Sequence, residues 1–243
     1  MQRYYQLDDG EKEADLYLFG ALSSYGQESD NDPDRSAYNI LTELAAVKAP
    51  AINVHINSAG GEVSQGLAIY NTLKESGKQI TTYCDGFACS AASVVFMAGS
   101  RRVMQAASLL MIHNAWTYAL GNAGELRKAA DDVETVTQAS VEAYKTVATI
   151  SEEIIKELMD AETYILPKDA LAYGFATEIA NAPDADGPQE SAMPGIIARL
   201  TQPQTPALDA DALADRIAQQ IIAAQKPAPA PRDAWAEFFG GKK

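Results

Sequence analysis

Histidine is nearly missing from this chain: 243 residues hold two, His55 and His113. So few imidazoles, far apart in sequence, exclude a histidine-rich metal centre, and no metal site is expected. Any reaction needing a base near neutral pH must draw on one of these two residues. Cysteine is equally scarce. Cys84 and Cys89 are the whole supply, too few for a disulfide framework or a four-thiolate zinc site. Both fall in expected core, so they are read as reduced thiols. Basic residues are outnumbered, 19 Lys and Arg against 33 Asp and Glu, for a net charge of −14. That balance argues against nucleic acid and anionic membrane surfaces as partners, and reads as a solvated acidic face. No apolar run is long enough to span a bilayer, and Met1 to Tyr5 carries no signal-peptide pattern, so a cytoplasmic protein is expected. A Gly-x-x-x-x-Gly-Lys-Ser/Thr phosphate loop is also missing, so the chain is not expected to be an ATPase, and no cofactor is called for.

Hydrophobic residues make up 47% of the chain, enough for a sizeable core. The length suits one α/β domain with appendages or two small domains. Asp15–Gly20 reads as a strand closed by glycine, and Gln27–Asp34 as a loop. Apolar residues at Tyr38, Leu41, Leu44 and Ala45 recur with a helical period over Ser36–Val47, before Pro50. Ala51–Asn57 alternates like a strand, Ser58–Gly61 is a tight turn, and Glu62–Ser76 is a helix with Leu67, Tyr70 and Leu73 on one face. Gln79–Cys84 is rich in β-branched and aromatic residues and reads as a strand that Gly86 breaks. A buried helix follows, running into Val94–Ala98 and closed by Gly99. Arg102–Met104 and Ser108–His113 are further strands. The alternation of strand and helix predicts βαβ units and a largely parallel, covered sheet. Asn122–Asp160 is strongly helical, with a break near Thr149–Ser151. A helix of that length is expected to project or to pack on a neighbouring subunit.

Composition changes after Asn181. Residues 1–182 read as one domain, 183–207 as an Asp/Gly/Pro-rich linker, 208–225 as an amphipathic helix carrying Leu213, Ile217 and Ile221, and 226–243 as a flexible Pro/Ala-rich tail.

The informative stretch is Gly86–Ser93, because it sets a serine where a strand hands over to a helix. A hydroxyl there lies near unpaired backbone N–H groups at the positive end of the helix dipole. A nucleophile and a developing oxyanion both favour that environment. The competing reading of Ser90 is a helix cap. Of the two histidines, His55 sits mid-strand on the face of Asn53 and Asn57 and reads as structural. His113 ends an apolar strand, and the carboxyl ends of parallel strands are where functional residues collect. The Ser90 junction and the Gly60–Gly61 turn fall on that same edge. His113 can take the proton of Ser90 and return it to a leaving amine, a carboxylate must orient the imidazole, and two backbone donors must hold the oxyanion. The Gly61 and Ala91 N–H groups are the candidates, since glycine lets backbone approach a ligand closely.

The ordered motifs Asn57-Ser58-Ala59-Gly60-Gly61, Gly66–Tyr70, Gly86–Ala91, Met111-Ile112-His113 and Ala170–Gly174 resemble the Clp protease proteolytic subunit (ClpP) family of serine peptidases, over roughly Asp15 to Ile179. The resemblance implies a ClpP/crotonase-type α/β fold: repeated ββα units, a parallel sheet covered by helices and a projecting long helix. It implies Ser90 as nucleophile, His113 as general base, Gly61 and Ala91 as oxyanion donors, and a homo-oligomer of stacked rings acting on protein or peptide substrates, in some members with an ATP-driven unfoldase. The family's catalytic aspartate falls, counting back from Tyr173, on Glu162, with Asp160 in reserve. The chain departs from the pattern there, and again at Ala59, where the family usually has proline. Ala161-Glu162-Thr163-Tyr164 and the Leu16–Gly20 strand look like the phage and prophage head-maturation branch. That likeness implies phage capsid or scaffold proteins as partners, in the cytoplasm of a bacterium or an infected host.

Three other readings compete. Crotonase-like acyl-CoA enzymes share the fold but lack the Ser90 and His113 pairing. A Ser–Lys peptidase would need Lys128 or Lys145, both on the long helical stretch. A catalytically dormant ring-forming scaffold would leave the tail as the working part.

Overall fold

The structure, a computed structural model, describes residues 5–23 and 37–180. The expected loop at 27–34, the linker 183–207, the helix 208–225 and the tail 226–243 lie outside the described residues.

The chain opens with a hairpin that sequence reading only half anticipates. Strand β1 (Tyr5–Asp9) pairs antiparallel with β2 (Glu13–Phe19). From β2 onward the pattern is parallel: β2 pairs with β3 (Ala51–Ser58), β3 with β4 (Gln79–Cys89), β4 with β5 (Arg101–Gln105), and β5 with β8 (Glu178–Ala180). Alternation decides which side faces the core. Leu16 and Leu18 on β2, and Ile52, Val54 and Ile56 on β3, are buried, while the residues between them are partly exposed. The result is a mixed α/β architecture.

Gly86 does not end its strand; β4 runs through it to Cys89. Up to Cys84 the strand pairs with β5, and from Phe87 to Cys89 it pairs with β6 (Leu109–Ile112) instead. Gly86 lies where the partner changes and where the register against β3 shifts. A Cβ there would meet Asn57 Oδ1 at 2.6 Å, and that same oxygen accepts from the Phe87 N–H at 3.2 Å. Glycine here admits the close approach of the Asn57 side chain rather than ending the strand. Beyond β6, strand β7 (Thr163–Ile165) adds on antiparallel.

The helices cover the sheet. Among them are α1 (Ala37–Ala46) and α2 (Val63–Glu75), whose Gly66, Ile69, Tyr70 and Leu73 are buried while Leu67 is half-buried. A Cβ on Gly66 would lie 2.6 Å from the Ala91 carbonyl oxygen, so glycine lets α2 seat against the start of α3 (Ala91–Phe96). Every residue of α3 is buried. Helix α4 (Ala123–Lys145) begins with a capping box between Asn122 and Glu125. It is buried only at Ser140, Val141, Ala143 and Tyr144, so most of its length meets solvent, as its length predicts. The break falls where expected, and α5 (Glu152–Asp160) follows, with Ser151 as its cap. Lys145 closes the α4–α5 corner on Glu142 at 3.0 Å and Glu152 at 2.7 Å. Helix α6 (Pro167–Ala172) leads into β8.

One buried cation ties the late segment down. Arg102 donates to the carbonyls of Gly99 (2.8 Å), Phe175 (2.8 Å) and Gly174 (3.0 Å), which compensates its burial. Both cysteines are free and buried. Burial pushes the Cys84 thiol up to about 11. Among the described residues no helix is long and apolar enough to cross a membrane, and no cluster of three or more His, Cys, Asp and Glu could hold a metal.

Candidate active site

The parallel strands end at one edge, and the chain turns sharply at each end. After β3, Ser58 Oγ accepts from the Gly60 N–H at 3.0 Å and donates to the Gly20 carbonyl, which joins the turn to the end of β2. Leu22 then bridges Gly60 and Glu62: its N–H donates to the Gly60 carbonyl and its own carbonyl accepts from the Glu62 N–H, each at 2.8 Å. Gly60 (φ 95°) and Gly61 (φ 145°) both occupy backbone that favours glycine. A Cβ on Gly61 would collide with the Leu22 carbonyl. One on Gly60 would lie 2.6 Å from Ser90 Cβ and 3.1 Å from Ala91 N. The glycine turn therefore rests directly on the β4–α3 junction.

Ser90 itself is strained. Its φ of 55° and ψ of −129° lie outside the regions open to most side chains, a cost of about 1–3 kcal/mol. The turn is held from three sides. The Ser90 N–H donates to the Met111 carbonyl at 2.9 Å, and its carbonyl accepts from the Ser93 N–H (2.9 Å) and Ser93 Oγ (2.6 Å). The Ser90 hydroxyl makes no capping bond to α3. It meets His113 instead, with Oγ 2.7 Å from Nε2. Because Ser90 pairs through its backbone with Met111, β6 delivers His113, two residues further on, beside the hydroxyl.

The oxyanion candidates lie on the same edge. Among the described residues, neither the Gly61 nor the Ala91 N–H donates a hydrogen bond outside the regular elements, and Ala91 is the first residue of α3, where no intrahelical acceptor exists. Both residues, with Ser90 and His113, line an open groove of about 790 Å³. Its walls carry Leu22, Val63, Phe87, Met111 and Tyr164, so the groove is largely apolar around a polar centre.

The structure does not join a carboxylate to this pair. Among the described residues no hydrogen bond links His113 to Glu162 or to Asp160. Asp160 accepts from Asn114 Nδ2 at 2.7 Å. Glu162 is exposed, in a left-handed turn at φ 47° just before β7. The antiparallel β6–β7 register ends with Ile112 opposite Thr163, so His113 and Glu162 each lie one residue beyond the paired segment.

His55 sits elsewhere, as its mid-strand place implies. Its ring is sandwiched between Tyr17 and Tyr83, with centroids 4.9 and 4.7 Å away, and Nδ1 bonds Asp85 Oδ2 at 2.8 Å. One arrangement near the site went unread in the sequence. Tyr144, at the end of α4, places its hydroxyl 2.7 Å from Ser93 Oγ. The two residues are 51 apart, and only their distance in the fold reveals the contact.

A hydroxyl on an imidazole, at a strained strand-to-helix turn and flanked by free backbone N–H groups, is chemistry suited to acyl transfer. The chain belongs to the Clp protease family, whose model matches residues 24–183. Among curated proteins it is similar to the ATP-dependent Clp protease proteolytic subunit of Deinococcus radiodurans, at 32% identity over 130 residues. That match takes in 53% of this chain and 64% of the relative, so the chain spans somewhat under two thirds of the relative's length.

Proposed function

We propose that the protein is a serine endopeptidase in which Ser90, His113 and a carboxylate cleave peptide bonds. The observation that carries this reading is the 2.7 Å contact of His113 Nε2 with Ser90 Oγ beside two free backbone donors. A peptide lies in the groove with its scissile carbonyl over Ser90. Oγ attacks the carbonyl carbon as His113 takes the hydroxyl proton. Negative charge gathers on the carbonyl oxygen, and the Gly61 and Ala91 N–H groups receive it without reorganising. His113 then gives its proton to the leaving amine, which departs and leaves an acyl group on Ser90. Water, deprotonated by the same imidazole, hydrolyses that ester and restores the hydroxyl.

Glu162 is the third member in this reading. His113 and Glu162 each lie one residue past the Ile112–Thr163 pair, which favours Glu162 over Asp160, a residue that Asn114 already engages. Its exposed side chain turns onto the imidazole when substrate or a neighbouring copy orders the edge. Residues 1–182 form the peptidase domain in this reading. The working form is a homo-oligomer of stacked rings, with the exposed length of α4 available for contact between copies. The likeness of Ala161–Tyr164 to the head-maturation branch points to phage capsid or scaffold proteins as substrates, in the cytoplasm of the host.

Labelling the purified full-length protein with a fluorophosphonate tests this, with the adduct located by mass spectrometry. An adduct on Ser90, absent in Ser90→Ala and nearly absent in His113→Ala, is expected. No adduct on the assembled protein would overturn the peptidase reading in favour of a dormant scaffold.

A further inference from the structure

The peptide bond between Ser90 and Ala91 has two ends, and only one faces the groove. Its N–H, on Ala91, is an oxyanion donor in the proposed reaction. Its C=O, on Ser90, points away and accepts from both the N–H and the hydroxyl of Ser93, at 2.9 and 2.6 Å. The Ser93 hydroxyl has a single proton, and that proton goes to the Ser90 carbonyl. The contact of Ser93 Oγ with Tyr144 at 2.7 Å must then be donated by the phenol. Tyr144 is fully buried, and burial pushes its hydroxyl pKa well above the ordinary range, so the phenol keeps its proton. A directed chain results: Tyr144 O–H to Ser93 Oγ, Ser93 O–H to the Ser90 carbonyl, and across the amide to the Ala91 N–H.

We infer that Ser93 and Tyr144 are positioning residues that hold the Ser90–Ala91 peptide with its N–H toward the oxyanion and strengthen it as a donor. The inference rests on the peptidase reading and adds a named support to it. The need for support is visible at Ser90, whose φ of 55° is unfavourable for serine and invites the peptide plane to turn over. Two hydrogen bonds on the carbonyl oppose that rotation. They also draw electron density toward the oxygen, and chains of hydrogen bonds polarise one another cooperatively. Neither side chain touches the reacting atoms. Their effect should therefore appear where charge develops on the carbonyl oxygen, not in ground-state binding.

The test uses the full-length protein and saturable fluorophosphonate labelling, which separates the maximal inactivation rate from the half-saturating concentration. Tyr144→Phe keeps the ring and removes only the donor. It is expected to slow maximal labelling about fivefold with the half-saturating concentration unchanged, the scale of one lost hydrogen bond. Ser93→Ala is expected to slow it about tenfold, and the double variant no further than Ser93→Ala, because both act through one chain. Tyr70→Phe is the control. It removes a comparable phenol contact to the end of α4, Tyr70 Oη to Thr146 Oγ1 at 3.2 Å, without touching Ser90. It should label at the wild-type rate.

Unchanged labelling in folded Tyr144→Phe overturns the inference and leaves the peptidase reading standing. Equal slowing in Tyr70→Phe overturns it too, because the effect would then be structural. Should Tyr144→Phe fail to fold, Ser93→Ala reads the same link, and a wild-type rate there is decisive against it. No labelling of wild-type protein overturns both readings together.

Discussion

Gly60 has no room for a side chain because Ser90 stands against it. A Cβ would lie 2.6 Å from Ser90 Cβ and 2.6 Å from the Cys89 carbonyl oxygen, and the backbone at Gly60 has a φ of 95°. Gly60→Ala must therefore push the β3 turn away from the β4–α3 junction or strain its own backbone. Fluorophosphonate labelling of Ser90 is expected to be lost. Thermal unfolding should show destabilisation of about 1–3 kcal/mol. Wild-type labelling in this variant would mean that the glycine turn takes no part in the site.

The two candidate carboxylates, Glu162 and Asp160, can be separated by substitution. Glu162→Gln keeps the shape but removes the charge that would orient the imidazole, and peptidase activity is expected to fall at least about a hundredfold. Asp160→Asn should leave activity within about threefold, since Asp160 bonds Asn114 at the surface. The reverse pattern would transfer the role to Asp160.

Cys84 offers a check on the core. Burial raises its thiol to about 11, and Cys89 is raised by the same cause. Native protein should resist iodoacetamide at pH 8, and unfolded protein should react quickly. The sign of the linkage follows. The unfolded thiol deprotonates near its ordinary value of 9.0 while the folded one stays protonated. This contribution to stability is therefore complete below about pH 9 and is lost as pH rises toward 11. Denaturant midpoints of Cys84→Ala and wild type, compared across that range, measure it.

The α4–α5 corner should respond to acid instead. Lys145 and Lys156 hold the Glu152 carboxyl down to about 2. A depressed carboxyl stabilises above its unfolded value and loses that contribution as pH falls through its folded one. The difference in stability between wild type and Glu152→Gln should thus shrink between about pH 4.5 and pH 2. High salt should shrink it as well, because these ion pairs lie at the surface within reach of solvent. A difference that persists at pH 2 would mean that packing, not charge, secures the corner.

Local pattern reveals much of this chain and stops at identifiable places. The alternation in Ala51–Asn57 places Ile52, Val54 and Ile56 inside, and they are buried. The break between α4 and α5 is visible in Thr149–Ser151, where Ser151 caps the second helix. Gly86 misleads because a glycine that ends a strand and one that admits another strand's side chain look alike in one dimension. The difference lies in Asn57, 29 residues earlier in the chain. Strand β1 escapes notice because it is short and largely exposed, with Tyr5 as its buried residue.

Sequence by itself singled out Ser90 and His113, which the structure sets 2.7 Å apart. With two histidines in the chain there was little to choose from, and alternation already assigned His55 to a strand face. Only tertiary structure decided what surrounds that pair. The Ser58–Gly61 turn seated on Ser90, the Met111 carbonyl that receives the Ser90 N–H, and the Tyr144–Ser93 chain behind the Ser90 carbonyl all join segments from distant parts of the chain. Such contacts depend on strand order and helix seating, which arise from burying the whole core at once. A local window encodes period and turn chemistry, but it carries no record of which distant segment will close against it.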